Sequence, residues 1–222
     1  IVDVRPDYFV EAGTFKGGSA ALWATILAQV NPEARVITID IVDKAQDARK
    51  LQVVKDKVDF LVGSSTAPEI VAEVTRRVKG KRVMIMLDSD HSRDHVLGEL
   101  KAYSPLVPVG SYLIVQDTNV NGRPVLPEFG PGPGEAVDEF LRDNRDFVVV
   151  WSGNGTGDAT GVFTQRYVDD LVVDTASDVA DGNTASISAL LANRGADGFI
   201  SLREAILATN NTANVGGPDR IY

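Results

Sequence analysis

Short β-rich runs alternate with longer amphipathic segments from the start of this chain to about residue 167. The candidate strands are Tyr8–Ala12, Val36–Ile41, Val58–Val62, Val83–Asp88, Ser111–Asp117, Phe147–Trp151 and Gly161–Arg166. Segments with apolar residues at three- and four-residue spacing, which predict helices, are Ser19–Val30, Ala67–Val78, Ser92–Tyr103 and Gly134–Asn144. Strands that alternate with helices in this way favour a doubly wound α/β fold with a mostly parallel sheet.

The last two of these seven strands are joined differently from the others. Residues Ser152–Asp158 between them are rich in glycine and leave no room for a crossover helix, so we expect an antiparallel hairpin. A seven-stranded, mostly parallel sheet that ends in an antiparallel hairpin is typical of the Rossmann-like class I methyltransferase fold. The plain dinucleotide-binding fold lacks that hairpin.

The composition changes after Arg166, where the chain becomes rich in Ala, Asn, Thr and Asp. We therefore predict a main domain at residues 1–167 and a small C-terminal extension at residues 168–222. Within the extension, Ile200–Ala208 is predicted to be a helix, with Ser201 as its cap and Glu204 as the capping-box partner.

The charge and residue composition exclude several classes of partner. A net charge of −9 and a pI near 4.7 argue against nucleic-acid binding, because nothing offsets repulsion from the phosphate backbone. No apolar run is long enough to predict a membrane span, and the lack of cysteine rules out a disulfide framework. We expect a cytoplasmic location. Because the chain begins at Ile1 rather than at methionine, we also expect that residues preceding it have been lost.

The segment Tyr8–Ser19 predicts a ligand site, because an apolar run ends at Glu11 and then breaks into glycines that open a helix. Gly13 lets the backbone approach a ligand closely, and the helix that starts near Gly18 offers unpaired N–H groups. Glu11 would repel a pyrophosphate but would pair with a cationic amino group, and the glycine spacing departs from the dinucleotide pattern. S-adenosylmethionine fits such a loop better than NAD; the alternative is a strand-to-helix turn without a ligand.

Two further positions are candidates for contact with the same nucleoside. Asp40 ends the second strand about twenty residues after the loop, where ribose hydroxyls bind in βαβ units. Ser64 and Ser65 follow the third strand and could meet the adenine edge. The alternative for Asp40 is an aspartate that caps a helix or is solvated at the strand end. The alternative for the two serines is a helix cap before Pro68.

The densest polar cluster, Asp88–His95, holds both histidines and follows the fourth strand, while Asp117 ends the fifth. Neighbouring strand ends lie close together, so Asp88 and Asp117 could share one divalent cation, and oxygen ligands suit magnesium. His91 is a candidate general base, while we expect His95 to cap or pack. A zinc hydrolase using Asp90, His91 and His95 is an alternative, although two histidines leave few further ligands.

A long loop covers residues 119–134 between Asp117 and the next helix. Loops of this length in compact domains are usually lids or binding loops, so we expect it to help select the acceptor. The alternative is a turn that packs against a neighbouring subunit of a homo-oligomer, which is the assembly that we expect.

Five sequence motifs together resemble the cephalosporin hydroxylase and rhamnosyl O-methyltransferase family across residues 1–167. They are EAGTFKGGSA at 11–20, GSST at 63–66, LDSDHS at 87–92, LIVQDTN at 113–119 and GPGPGEA at 130–136. The resemblance implies a class I methyltransferase fold that binds S-adenosylmethionine and holds magnesium at the fourth and fifth strand ends. The predicted cofactor residues are Glu11, Gly13, Thr14, Gly17, Ser19, Asp40, Ser64, Ser65 and Asp88, and the predicted metal residues are Asp88, Gln116 and Asp117.

The chain departs from this family at Gln116, where the family commonly has a glutamate. A neutral amide still offers a carbonyl oxygen but removes one negative charge, which should weaken the binding of a hard cation. The tail is similar to the CSLREA-type segment of bacterial secreted and surface repeat proteins, with Ile200-Ser201 in place of the usual Cys-Ser.

Taken together, these patterns predict an S-adenosylmethionine-dependent O-methyltransferase that acts on a small-molecule hydroxyl of a phenol, a sugar or a natural product. His91 and Asp88 are the predicted catalytic residues. Two alternatives remain open: a non-catalytic binding or scaffold module with the same fold, and a metal-dependent hydrolase.

Overall fold

Seven strands form the main sheet of the protein, whose computed structural model describes residues 1–123, 125–144, 147–151, 161–165, 170–212 and 220–221. The strands are β1 (Tyr8–Ala12), β2 (Arg35–Asp40), β3 (Val58–Val62), β4 (Val83–Leu87), β5 (Tyr112–Val115), β6 (Phe147–Trp151) and β7 (Gly161–Gln165). The chain divides into two units, Ile1–Gln165 and Arg166–Tyr222. The predicted domain boundary lies among residues 166–169, outside the described residues.

The strand order is β3-β2-β1-β4-β5-β7-β6, and strands β1 to β5 run parallel. Because the order reverses between β1 and β4, a crevice opens at the carboxyl ends of these strands, where open α/β sheets bind ligands. The predicted doubly wound α/β class is thus confirmed. Strand β7 pairs antiparallel with both β5 and β6, and the link at residues 152–160 lies outside the described residues.

Helices cover both faces of the sheet: α1 (Gly18–Val30), α2 (Gln52–Lys57), α3 (Pro68–Val78), α4 (Arg93–Tyr103) and α5 (Pro133–Asp143). The four predicted helices are present within one residue of their expected bounds. Helix α2 was not predicted, because six residues are too short to show a helical period and two adjacent valines favour a strand.

The predicted strands extended too far at their carboxyl ends. Strand β2 ends at Asp40 rather than Ile41, β4 ends before Asp88, and β5 covers only Tyr112–Val115. Asp117 adopts a left-handed backbone conformation with φ of 53°, which a β-strand does not accommodate. The acidic residues therefore lie in the loops just beyond the strands, where they can face a ligand.

Strand periodicity decides which helix layer each side chain meets. Along β1, Phe9 packs in the layer with α1, where its ring stacks on Trp23 at a centroid distance of 4.7 Å. Val10 and Ala12 point the other way, into the layer with α3, α4 and α5. Glu11 alternates with Val10, so its side chain lies on the α1 side of the sheet.

The second unit contains helices α6 (Ile187–Ala192) and α7 (Leu202–Asn211) and the two-residue parallel strands β8 (Asp170–Leu171) and β9 (Arg220–Ile221). Its buried core consists of Leu171, Ile187, Leu190, Ile200, Ala205 and Ala208. The predicted helix begins at Leu202 instead of Ile200, and the predicted capping box of Ser201 and Glu204 is confirmed.

Glu204 organises this unit through its buried carboxylate. Oε1 accepts hydrogen bonds from the backbone N–H groups of Asp181 (2.9 Å) and Gly182 (2.6 Å), and Oε2 accepts from Ser201 N (2.9 Å) and Oγ (3.0 Å). Burial opposes ionisation, but these donors outweigh it and hold the pKa of Glu204 below its usual value.

We expect Glu204→Gln to destabilise the second unit by about 2–3 kcal/mol, because the new amide N–H₂ would face donors that lose their acceptor. Hydrogen exchange at the amides of Asp181, Gly182 and α7 measures this change. Asp178→Asn is the control, since it removes only an exposed ion pair with Arg203 and should leave exchange nearly unchanged. Equal protection in both variants would contradict the role given to Glu204.

Among the described residues, no helix combines the length and the apolar character that crossing a bilayer requires.

Candidate functional site

A cleft of about 920 Å³ lies at the crevice between the carboxyl ends of β1, β2 and β4. Seven of the predicted cofactor residues line it: Gly13, Thr14, Ser19, Asp40, Ser64, Ser65 and Asp88. Other wall residues include Phe15, Lys16, Ile41, Val42, Lys44, Ser89, Asp90 and His95. Glu11 and Gly17 are absent from this wall, and their direct contact with a cofactor stays a prediction.

Two glycines shape the loop between β1 and α1. Gly13 has φ of 101°, and a Cβ atom added there would lie 1.9 Å from the carbonyl oxygen of Asp88. Gly17 has φ of 78° and caps α1, and a Cβ there would lie 2.8 Å from the Cβ of Ala48. The loop therefore packs directly on the backbone after β4, an approach that only glycine permits at Gly13.

Glu11 lies behind the cleft, fully buried on the α1 side of the sheet. Thr38 Oγ1 donates to Glu11 Oε2 at 2.7 Å, so Thr14 Oγ1, 2.7 Å from Thr38 Oγ1, must donate to Thr38. Burial raises the pKa of Glu11. The carboxylate thus orients Thr14 in the cleft wall through Thr38, and the direct pairing of Glu11 with an amino group stays a prediction.

Asp40 connects the second strand to the glycine loop. Its Oδ2 accepts from the backbone N–H of Phe15 at 2.7 Å, and its Oδ1 accepts from Val42 N at 3.2 Å. The Phe15 ring beside this contact is 60% exposed, and the ammonium groups of Lys16 and Lys44 lie 5.5 Å and 5.9 Å from its centroid. Sequence reasoning missed this basic rim, which no spacing or motif signals.

The two serines after β3 do not cap the helix that follows them. Ala67 is the N-cap of α3, with no side-chain cap, so this alternative is wrong. Ser64 and Ser65 both line the cleft, as the ligand interpretation expects.

Asp88, His91 and Asp117 form the acid–histidine cluster, with ligand atoms within 4.8 Å of one another. His91 Nε2 lies 3.4 Å from Asp88 Oδ1 and 3.3 Å from Asp117 Oδ2. The hydrogen bond to Asp88 and the charge of Asp117 raise the pKa of His91. Because Asp88 also lines the cleft, the cluster adjoins the ligand space.

The donor atoms of this cluster fit a divalent cation. Two carboxylates supply the hard oxygen ligands that magnesium prefers, and the imidazole nitrogen is a ligand that suits transition metals better. Gln116 follows β5, and its Nε2 lies 3.4 Å from the sulfur of Met86. Its place as a third metal ligand stays a prediction.

The structure separates the residues of the zinc alternative. Asp90 Oδ1 accepts from Ser92 N at 2.8 Å, whereas His95 Nε2 lies 3.0 Å from Ser65 Oγ. Within the described part of the chain, Asp88, His91 and Asp117 are the one group of three possible ligands that converges, so the trio of Asp90, His91 and His95 is not assembled. His95 lines the cleft, where sequence analysis had expected a capping or packing residue.

Glu99 of α4 is a fully buried acid behind the cleft that sequence reasoning missed. Its Oε1 accepts from Ser65 Oγ at 2.5 Å and from Ser89 Oγ at 2.6 Å, and lies 3.4 Å from His95 Nε2. The hydrogen bond with Glu99 raises the pKa of His95. The spacing of residues 95 and 99 could have predicted their contact, because residues four apart share a helix face.

The loop after Asp117 is tied to α5. Arg123 pairs with Glu135 at 3.1 Å and with Asp138 at 2.8 Å, and Val120 is buried. At the other end of the loop, Arg93 N donates to Pro131 O at 3.1 Å, which links it to the start of α4. Its function as a lid stays a prediction.

Residues 1–154 match the family described as Rhamnosyl O-methyltransferase/CmcI. The chain belongs to this family. A rhamnosyl O-methyltransferase of Mycobacterium tuberculosis (strain H37Rv) is 44% identical over 150 residues, which cover 64% of this chain and 60% of that relative. The chain thus spans about 60% of the length of the curated relatives that it matches.

Solved structures of methyltransferases share the fold of this member of the Rhamnosyl O-methyltransferase/CmcI family. The O-methyltransferase TomG from Streptomyces achromogenes, in complex with SAM, aligns with a TM-score of 0.57 and 18% identity over 75% of this chain and 76% of that chain. MycE methyltransferase, in complex with Mg and SAH, aligns with a TM-score of 0.50 and 19% identity over 72% and 45%. At these identities the likeness shows the fold alone.

Proposed function

We propose that the unit Ile1–Gln165 binds S-adenosylmethionine in the cleft and transfers its methyl group to a hydroxyl of a sugar or natural product. The observation that carries the proposal is the glycine loop packed against Asp88, which joins a nucleoside-sized cleft to an acid–histidine cluster. Membership of the Rhamnosyl O-methyltransferase/CmcI family supports the same activity.

In the proposed complex, Asp40 accepts hydrogen bonds from the ribose hydroxyls, and the glycine loop with Thr14 and Ser19 meets the amino-acid end. Ser64 and Ser65 lie at the nucleobase. Glu11 sets the direction of the Thr14 hydroxyl through Thr38, and its direct pairing with the amino group of the cofactor stays a prediction.

The transfer is an in-line displacement. The acceptor oxygen forms a bond to the methyl carbon while the carbon–sulfur bond breaks, and the sulfur keeps the electron pair as a thioether. The hydroxyl proton passes to the imidazole of His91, whose basicity the hydrogen bond to Asp88 and the charge of Asp117 increase. Holding the sulfonium and the acceptor in contact supplies much of the acceleration.

Asp88 and Asp117 would hold a divalent cation through carboxylate oxygen, with Gln116 as the further ligand that the family pattern suggests. When bound, magnesium would orient the acceptor hydroxyl and lower its pKa. Activity before and after EDTA treatment, and after magnesium is restored, measures this contribution. Full activity in EDTA would remove the metal from the proposal.

The acceptor that we propose to test first is a rhamnoside, because the curated relatives are named rhamnosyl O-methyltransferases. We further propose a homo-oligomer, which light scattering on the purified chain would test.

Isothermal titration with S-adenosylhomocysteine tests the binding step. We expect Asp40→Ala to weaken binding about 10- to 100-fold, because it removes charged hydrogen bonds to the ribose and the support of Phe15 N. The control is Asp47→Asn at an exposed position, which should bind like the unmodified chain. Failure of the unmodified chain to bind would overturn the proposed function.

A non-catalytic binding module is the second candidate, and the neutral side chain of Gln116 favours it. Tight cofactor binding without methyl transfer to any rhamnoside, phenol or natural-product hydroxyl would support this candidate over the enzyme.

A further inference from the structure

Three side chains of the cleft wall converge on one buried oxygen. Ser65 Oγ and Ser89 Oγ lie 2.5 Å and 2.6 Å from Glu99 Oε1, and His95 Nε2 lies 3.4 Å from the same atom. Ser65, Ser89 and His95 come from different elements and all line the cleft, whereas Glu99 is fully buried behind them. The acid is therefore placed to act on a ligand through these neighbours.

Proton positions in this cluster follow from the donors and acceptors available. Glu99 Oε1 can only accept, so both serine hydroxyls must donate to it. Ser65 then has no proton left for His95, and the contact of 3.0 Å between Ser65 Oγ and His95 Nε2 must be an N–H donation from the ring.

The two hydroxyls consequently have only lone pairs left for a ligand in the cleft. Ser89 Oγ retains two lone pairs and Ser65 Oγ retains one, since each has committed its proton to Glu99. Rotating either hydroxyl toward the cleft would cost a hydrogen bond to a fully buried acid. These two hydroxyls therefore accept hydrogen bonds from a ligand and do not donate them.

We propose that Glu99 is a positioning residue that makes the cleft selective for a 6-aminopurine over a 6-oxopurine. The amino group of adenine donates to Ser65 and Ser89, whereas the carbonyl oxygen of hypoxanthine would face their lone pairs. The inference rests on the proposed function, because it assumes that a purine nucleoside occupies the cleft with its base at the loop after β3.

The test compares S-adenosylhomocysteine with S-inosylhomocysteine by isothermal titration on the full chain. We expect the unmodified protein to prefer the adenosine compound at least about 10-fold, the value of one good hydrogen bond replaced by a repulsive contact. In Glu99→Gln the preference should fall to less than about 3-fold, because the glutamine amide can donate to a serine and release its proton toward the ligand.

Glu69→Gln is the matched control, since residue 69 is exposed on α3 and lies outside the cleft wall. It should keep the full preference. Ser89→Ala removes one acceptor, keeps the Glu99 carboxylate and its hydrogen bond from Ser65, and should also reduce the preference. This variant therefore decides the case if Glu99→Gln does not fold. A merely structural role of Glu99 would weaken both ligands equally and leave their ratio unchanged.

The two failures are distinguishable. If the unmodified chain binds neither compound, the proposed function fails and this inference falls with it. If it binds both equally, or if the preference survives in folded Glu99→Gln or in Ser89→Ala, the inference is overturned while cofactor binding stands.

Discussion

Gly13→Ala is expected to destabilise the first unit by more than about 3 kcal/mol and to abolish binding of S-adenosylhomocysteine. The added Cβ would lie 1.9 Å from the carbonyl oxygen of Asp88, and the backbone φ of 101° is strained for any side chain. Relief requires the glycine loop or the segment after β4 to move, and both form the cleft wall. Chemical denaturation and isothermal titration measure the two effects.

Gly18→Ala is the matched control for stability, five residues along the same loop and helix. An added Cβ there meets no atom within 4 Å, and the residue begins α1. Alanine should leave stability equal or slightly higher, because it restricts the unfolded chain and favours the helix. Similar unfolding midpoints for the two variants would contradict the close packing of the loop on Asp88.

His91→Asn is expected to lower methyl transfer by about 100- to 10,000-fold, the range typical of a lost general base. Cofactor affinity should change by less than about 2-fold, because His91 lies outside the cleft wall and contacts Asp88 and Asp117 instead. Single-turnover rates with a saturating cofactor separate the chemical step from binding.

Asp94→Asn provides the control for this experiment. Its side chain is 82% exposed and pairs only with the neighbouring Arg93 in the described structure, so its loss should leave the rate unchanged. A His91→Asn variant with the rate of the unmodified chain would remove His91 as the proton acceptor. Equal losses of rate in both variants would indicate a disturbance of α4 rather than lost chemistry.

Local patterns were sufficient for the elements that hold the site. The apolar run at Tyr8–Ala12 followed by Gly13 predicts a strand and a tight turn from short-range sterics alone, and both are present. The acids at 40, 88 and 117 were also expected at strand ends, since alternating strands and helices bring those ends to one edge. Strand bounds were less accurate, because no glycine or proline directly follows β2, β4 or β5 to mark where the strand ends.

The face of the sheet on which Glu11 lies shows where a local pattern was insufficient. Its position at the end of β1 predicts contact with a ligand, which stays a prediction, and gives no sign that alternation with Val10 turns the side chain toward α1, where Thr38 is its partner. The partners of the two histidines were likewise not evident from the local pattern. His91 meets Asp117 and His95 meets Ser65, because His91 precedes the N-cap of α4 at Ser92 whereas His95 lies in the first turn of that helix.

The sequence by itself determined the order of strands and helices, the glycine turn after β1 and the acids at the strand ends, because each depends on residues within a few positions of one another. Only the tertiary structure decided which side chains meet. Glu99 reaches Ser65, 34 residues earlier, because α4 packs beside the loop after β3. Such contacts depend on how layers pack across the sheet, and no spacing along the chain encodes that geometry.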